Sequence, residues 1–222
     1  MKKSDGLSDN RNSKVKTGKR LLITGAAFVL AALSVIVYNR TMEHNACSFT
    51  DSVMNNIHHY IDSDKQLDET DDIFFSADQE VLQENDYILS DEIYFEYQNY
   101  YFTGYITIPE LDLELPVMSD WSYDNLNISP CRYSGSVLTD NLVIAAHNYG
   151  NHFGRIGELV PGDEVIYTDP TGDSYRYEVS VTEVLKPEEI DRMISGEYDL
   201  TLFTCTWAGT ERVVVRCEKK ET

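Results

Sequence analysis

The sequence has few basic residues, few cysteines and only one long apolar run. Its 222 residues include 18 Lys and Arg against 38 Asp and Glu, a formal net charge of −20 at pH 7. Such a charge repels nucleic acid, so the bulk of the chain is not a nucleic-acid-binding protein. Hydrophobic residues make up 42% of the chain. This composition suits a globular domain and excludes collagen-like, fully disordered and multi-span membrane proteins.

The four cysteines are too few for a disulfide-rich scaffold. A domain of this size does not need covalent staples, although two disulfides remain an alternative. We expect Cys131 and Cys217 to be small buried residues. For Cys47 an idle thiol is the simplest interpretation, with palmitoylation or an intermolecular disulfide as alternatives.

The basic residues that are present cluster around the single apolar run. Residues 1–40 hold eight basic and two acidic side chains, which leaves 10 basic and 36 acidic ones in the rest of the chain. The uncharged run 21–38, as a helix rising about 1.5 Å per residue, is long enough to cross a bilayer core. The positive-inside rule predicts a cytoplasmic tail at 1–20, a membrane anchor at 21–38 and an extracytoplasmic remainder. A cleaved signal peptide is the alternative, but no small-x-small cleavage site follows the run.

An acidic segment separates the apolar run from a β-rich region. Residues 62–96 contain 13 acidic residues and one lysine, a mixture that self-repels and extends. We predict a stalk over 39–99, although its apolar residues also permit a helix to dock onto the following domain. Residues 100–219 contain short strand-like runs separated by turn residues, typical of a barrel or sandwich. The predicted strands are 104–109, 113–117, 141–146, 164–167, 175–182, 200–205 and 212–217, and the predicted short helices are 153–159 and 187–194, with Pro187 in a first turn.

Two side chains that end predicted strands are candidates for chemistry. Cys205 ends strand 200–205, and strand ends aim side chains into clefts. A cysteine reacts as its thiolate, so a working one needs a nearby imidazole or guanidinium. His147 follows strand 141–146 in the same way, whereas His152 falls in the loop. Taken alone, a histidine at a strand end is more often an ordinary hydrogen-bonded residue.

Two arginines on the last predicted strand are candidate partners of the cysteine. Arg212 lies seven residues past Cys205 across a predicted hairpin, so strand pairing would bring them together. Arg216 shares the strand face of Arg212 because side chains alternate with period two. Spacing alone does not choose between them.

Five motifs occur in this chain order: Tyr105-Ile-Thr-Ile-Pro109, Leu115-Pro-Val117, Val143-Ile-Ala-Ala-His147, Thr201-Leu-Phe-Thr-Cys205 and Arg212-Val-Val-Val-Arg216. Their order resembles the sortases, the membrane-anchored cysteine transpeptidases of Gram-positive cell surfaces. The resemblance implies a mainly β fold, a closed eight-stranded barrel with short helices, in which His147, Cys205 and Arg212 converge on a groove. It favours Arg212 because the catalytic arginine of sortases opens the final strand.

The resemblance also implies a reaction. Cys205 would attack a C-terminal sorting signal of Leu-Pro-x-Thr-Gly type in a surface protein and form a thioester. An amine of a peptidoglycan precursor, or a pilin lysine, would then take the acyl group. His147 would act as general acid and base, and Arg212 would hold the substrate or stabilise the oxyanion. No cofactor and no resident metal are implied, and acidic residues are too abundant for a calcium cluster to stand out.

Some residues depart from the family pattern, and two other functions remain as alternatives. Ala146 stands where sortases commonly have glycine, the loop from Cys205 to Arg212 is short, and no aromatic lid motif precedes the barrel, so the sortase class stays open. One alternative is a membrane-tethered β-barrel binding module without chemistry. The other is a cysteine hydrolase of the cell wall, although in the papain-like arrangement the cysteine precedes its histidine.

Overall fold

The computed structural model describes residues 6–67 and 94–220. By its internal contacts the chain divides into two units, Met1–His44 and Asn45–Thr222. The first described element is helix α1, Gly6–Leu67. Among the described helices, the stretch Arg20–Ile61 of α1 is long and apolar enough to cross a membrane, and none of its apolar window is buried. The helix is therefore a candidate membrane anchor.

Eight strands of the second unit close into a barrel. The order is β2-β3-β4-β5-β8-β9-β7-β6, and β6 pairs back to β2. Two neighbouring pairs, β3 with β4 and β5 with β8, are parallel, and the other pairs are antiparallel. The predicted closed eight-stranded barrel is confirmed. The strands are β1 Phe95–Tyr97, β2 Tyr100–Ile108, β3 Leu113–Met118, β4 Cys131–Ser134, β5 Leu142–Ala145, β6 Glu164–Thr168, β7 Ser174–Leu185, β8 Leu200–Cys205 and β9 Arg212–Lys219.

Two apolar clusters stabilise the barrel, one on each face of the sheet. The first draws buried residues from seven of the eight barrel strands, an arrangement that only the barrel interior allows. The second combines α1 residues with side chains on the outer face, including Val143 and Ala145 of β5, Phe203 of β8 and Val214 of β9. Because side chains alternate along a strand, the two faces of one strand belong to different clusters. The outer face is therefore a packed surface as well.

The C-terminal part of α1 packs on the outer face. Val53, Met54, Ile57 and Ile61 recur at helical spacing and are buried in the outer cluster. The compact unit thus includes residues within the predicted stalk 39–99, because an apolar helix face gains more by docking than by staying in water. Residues 68–93, the larger part of the acidic segment, lie outside the described residues.

All seven predicted strands form, but the sequence did not reveal every element. The strand β4 was not predicted, because its residues Cys131–Ser134 show no clear alternation. The second predicted helix is shorter than expected: α3 is Ile190–Met193, so Pro187 precedes it and the predicted first-turn position is wrong. The other short helices are α2, Tyr123–Leu126, and three 3-10 turns at Pro109–Leu111, Val137–Thr139 and Phe153–Glu158.

Candidate active site

The candidate residues meet where β5 and β8 end and β9 begins. In the parallel pair β5 and β8, Ala145 is the register partner of Phe203. The segments that follow β5 and β8 stay side by side beyond that point, because the Asn148 side-chain amide donates to the Thr206 carbonyl over 3.2 Å. His147 therefore leaves β5 beside Cys205. On the other side of β8, Arg212 is the direct register partner of Cys205. The predicted pairing across the β8–β9 hairpin is confirmed.

All three candidate side chains belong to the outer face of the sheet. His147 continues the alternation of Val143 and Ala145, which lie in the outer cluster. Cys205 continues that of Phe203, and Arg212 that of Val214. Each of the three is half-buried, so each has contact with protein on one side and with solvent on the other. We call His147, Cys205 and Arg212 the rim residues.

The two candidate arginines have different surroundings. Arg216 is 2% exposed, and its guanidinium donates to the carboxylate of Glu183, the hydroxyl of Thr201 and the carbonyls of Arg192 and Met193. These hydrogen bonds connect β9 to the segment around α3, so Arg216 has a structural role. Arg212 instead donates only from Nη1, to the carbonyls of Gly209 and Glu211 in its own loop. Nε and Nη2 of Arg212 have no partner among the described residues, so they remain available to a ligand.

His147 is held by a residue that the sequence did not reveal. Its Nε2 lies 3.1 Å from Oδ1 of Asn127, the residue that follows α2. The ring of Tyr149 packs against the imidazole at 4.9 Å between centroids and an interplanar angle of 34°. Burial lowers the pKa of His147, so the ring is neutral at pH 7. No sequence spacing links Asn127 to His147, because the contact depends on where α2 packs.

His152, the competing histidine, is fully buried. Its ring lies 5.4 Å from that of Tyr149, and neither ring nitrogen has a hydrogen-bond partner among the described residues. Burial, with a smaller contribution from the nearby His147, lowers the pKa of His152 to about 4. A substrate at the rim cannot reach this ring, so His152 is a residue of the loop core.

The other cysteines of the barrel are buried, whereas Cys205 is accessible. All four cysteines are free, and Cys131 and Cys217 are fully buried, as predicted. Burial raises the pKa of both thiols to about 12, so they stay protonated and unreactive at neutral pH. Cys205 is half-buried at the strand end and is the one barrel cysteine that a substrate can reach.

A short, well-bonded loop follows Cys205. The amide of Thr206 donates to the carbonyl of Glu211 over 2.9 Å, and Gly209, with φ of 72°, closes an inner turn by donating to the Thr206 carbonyl. Glycine suits this positive φ because it has no Cβ to clash. Trp207 in this loop is 96% exposed.

A surface groove lies on the same outer face. It has a volume of about 470 Å³ and is lined by residues of the β3–α2 connection and of β4, among them Trp121 and Tyr133. The Tyr133 ring contacts Phe203 edge-on at 5.2 Å, and Trp121 contacts Tyr133 at 5.4 Å. A run of aromatic rings therefore leads from the strand of Cys205 to the groove. Within the described parts of the chain, no group of three or more His, Cys, Asp or Glu side chains is placed to hold a metal ion.

The barrel brings a cysteine, a histidine and an arginine to adjoining strand ends, a set of side chains that suits chemistry by a thiol nucleophile. The family model of the sortase domain matches residues 106–220, more than half of the chain. The chain belongs to the sortase family, whose members are cysteine transpeptidases. None of the curated proteins matches it in sequence.

Solved sortases share the fold. Sortase A from Corynebacterium diphtheriae is 23% identical with a TM-score of 0.50, and the match covers 55% of this chain and 61% of that chain. Sortase C from Streptococcus pneumoniae is 23% identical with a TM-score of 0.50, over 57% of this chain and 72% of that chain. Sortase C1 from Streptococcus agalactiae is 27% identical with a TM-score of 0.48, over 54% and 67%. The match to the Corynebacterium enzyme thus spans less than two thirds of its length.

Proposed function

We propose that this protein is a cysteine transpeptidase that cleaves a sorting signal near the C-terminus of surface proteins and transfers the acyl group to an amine. The observation that carries the proposal is the placement of Cys205 beside the strand end of His147 and directly opposite Arg212, on one accessible face. Membership of the sortase family supports the same chemistry.

The first step forms a thioester. His147, neutral because burial lowers its pKa, takes the thiol proton of Cys205, and the sulfur attacks the carbonyl carbon of the scissile peptide bond. Negative charge develops on the carbonyl oxygen. Arg212 carries a permanent positive charge and has free N–H donors, so it stabilises this oxyanion or holds the substrate backbone. The C–N bond then breaks, and His147 returns the proton to the leaving amine.

The second step transfers the acyl group. An acceptor amine attacks the thioester carbonyl, the C–S bond breaks, and the amine proton passes through His147 back to the Cys205 sulfur. The same imidazole serves as base and then as acid because the neutral ring accepts a proton and the imidazolium that results donates it. The acceptor we propose is an amine of a peptidoglycan precursor or a pilin lysine.

The groove on the outer face fits the acyl side of an extended peptide. A peptide rises about 3.3 Å per residue, so a few residues reach from Cys205 to the aromatic rings of Tyr133 and Trp121. The two rings give this otherwise polar groove an apolar contact surface. We therefore propose a signal of Leu-Pro-x-Thr-Gly type, with its apolar residues toward this groove.

The apolar helix supports a location at the cell membrane. Residues 21–38 lie in the candidate membrane span, and positive charges concentrate before it. We propose a single-pass anchor with a cytoplasmic N-terminus and an extracytoplasmic catalytic domain. This topology places the barrel where both a secreted substrate and a cell-wall amine occur.

The test uses the full chain in detergent micelles with a panel of sorting-signal peptides, with and without an amine. Mass spectrometry should detect a thioester adduct and an amine-exchanged product, both absent in Cys205→Ala. The matched control is Cys217→Ala, which should keep the activity. Hydrolysis that an added amine never diverts would identify the cysteine hydrolase instead. Peptide binding without turnover across the panel would identify the binding module.

A further inference from the structure

Asn127 is the one described side chain that hydrogen-bonds to the imidazole of His147. Its Oδ1 lies 3.1 Å from Nε2 of the ring, within hydrogen-bond range. The two residues are 20 positions apart in the chain, and the bond joins the end of α2 to the end of β5. The inference drawn from this bond rests on the proposed function of His147 as the acid and base.

The segment around Asn127 is held firmly. The Ser122 hydroxyl caps α2 by accepting from the Asn125 amide over 3.0 Å, and Leu126 is buried in the outer cluster. The backbone amide of Asn127 donates to the Tyr123 carbonyl over 3.3 Å. Just beyond it, the fully buried Ser129 donates from its hydroxyl to the Pro116 carbonyl over 2.6 Å. Asn127 therefore presents its amide from a fixed backbone.

The chemistry of the bond decides which ring nitrogen carries the proton. The structure turns Oδ1 of Asn127 toward the ring, and a carboxamide oxygen only accepts hydrogen bonds, so in this orientation Nε2 of His147 is the donor. A neutral imidazole has one N–H, and Nδ1 is then the nitrogen with the lone pair. Nδ1 of His147 has no hydrogen-bond partner within residues 6–67 and 94–220. We propose that Asn127 is a positioning residue that holds His147 in its Nε2–H tautomer and leaves Nδ1 as the nitrogen that moves protons.

Other groups around His147 do not replace this bond. Tyr149 contacts the ring face, which restricts tilting but does not distinguish the two nitrogens. The titratable and charged groups nearby are Tyr149 and the buried His152 from the same loop, Cys205 at the end of β8, and Arg212 at the start of β9. Without Asn127, ring flips and both tautomers are open to His147, so only part of the population has the productive arrangement.

The test reads the tautomer directly by NMR. The full chain, labelled with 15N-histidine in detergent micelles, contains five imidazoles, and a His147→Gln variant assigns the one of interest. The 15N shifts of wild-type His147 should report the Nε2–H form. In Asn127→Leu, a near-isosteric change without an acceptor, the shifts should move to a mixture of tautomers. An Nδ1–H form in the wild type, or unchanged shifts in Asn127→Leu, would overturn the proposal.

A charged variant adds a second readout. Asn127→Asp keeps the acceptor and adds a carboxylate, which favours the imidazolium. The proton affinity of His147 should therefore rise about 10-fold, with a matching rise of its pKa. The matched control is Asn125→Asp, since the Asn125 amide donates to the Asp120 carbonyl and not to His147. The control should shift the titration of His147 much less. Equal shifts in the two variants would show that charge alone acts, and would count against the bond.

Kinetics separates positioning from support of the fold. Asn127→Leu should lower kcat about 10-fold with KM little changed, and the pH profile of Asn127→Asp should move upward with the His147 titration. Rescue of kcat by Asn127→Asp at higher pH would not follow from a structural role. Because the NMR readout needs no turnover, a correct tautomer in a chain that transfers no acyl group would refute the proposed function alone. Full turnover with an unchanged tautomer in Asn127→Leu would refute this inference alone.

Discussion

The rim residues and three buried residues of the same types lie in opposite environments. His147, Cys205 and Arg212 are half-buried at the strand ends, whereas His152, Cys217 and Arg216 are almost completely buried. We call the second set the buried counterparts. The guanidinium of Arg216 donates hydrogen bonds to acceptors in neighbouring segments, and burial keeps the Cys217 thiol and the His152 ring uncharged. Residue type alone therefore does not define a reactive site. A reactive site also needs access to the substrate and hydrogen-bonding groups that the fold has not already used.

The largest expected difference is between the two cysteines. Cys205→Ala should lower the rate of acyl transfer by about 10⁴-fold or more, because the covalent route is lost. Cys217→Ala should leave kcat near the wild-type value and cost only stability, since it removes a buried sulfur. Peptide turnover and thermal melting measure the two effects. Substantial turnover by Cys205→Ala would show that Cys205 is not the nucleophile.

Substitutions of the two histidines should differ in their effect on activity almost as much. His147→Ala should reduce kcat by about 10³-fold, because proton transfer to the leaving amine is lost. His152→Phe fills the same buried space and should keep most of the activity, since the ring nitrogens have no partners among the described residues. Steady-state kinetics on both variants decides. The reverse ranking would move the acid and base role to the loop.

Substitution of Arg212 should lower activity, whereas substitution of Arg216 should lower stability. Arg212→Lys should lower kcat by about 10²-fold with little change in melting temperature, because an ammonium does not reproduce the planar donor fork. Arg216→Lys should instead lower the free energy of unfolding by about 3 kcal/mol, since it breaks the buried bonds to Glu183 and to two carbonyls. Urea denaturation and kinetics on the same samples test both. A catalytic defect confined to Arg216→Lys would exchange their roles.

The smallest effect concerns the pH dependence of stability. His152 titrates near pH 4 in the folded chain, against 6.5 for an ordinary histidine. The unfolded chain thus gains a proton below pH 6.5 that the folded chain refuses until about pH 4. This contribution to stability is complete above pH 6.5 and is lost as the pH falls between those values, by about 2 kcal/mol at pH 5.

Comparison with His152→Phe isolates that histidine from the carboxylates, which titrate in both proteins. The difference in unfolding free energy between the two proteins should change across this window and level off above it. Parallel pH curves for the two proteins would show that burial of His152 does not control its protonation.

Residue patterns in the sequence predicted most of the barrel strands and the strand ends that carry the rim residues, and the resemblance to sortases implied the closed barrel. Strands β2, β3 and β5 to β9 were predictable because alternation of apolar side chains follows from burying one face of a strand. The positions of Cys205 and His147 followed from their strand ends, and the pairing of Arg212 with Cys205 followed from the hairpin. Each of these patterns involves residues that are close together in the chain, whereas the meeting of His147 with Cys205 depends on the pairing of β5 with β8.

Tertiary structure decided the rest, because it depends on contacts between distant segments. Strand β4 shows no alternation of its own and forms through pairing with β3 and β5. The docking of α1 on the barrel and the bond from Asn127 to His147 join residues far apart in the chain. The separation of Arg212 from Arg216, which share one strand face, came from the hydrogen bonds that surround only the second. Burial and partner geometry arise when segments pack, and no residue spacing encodes them.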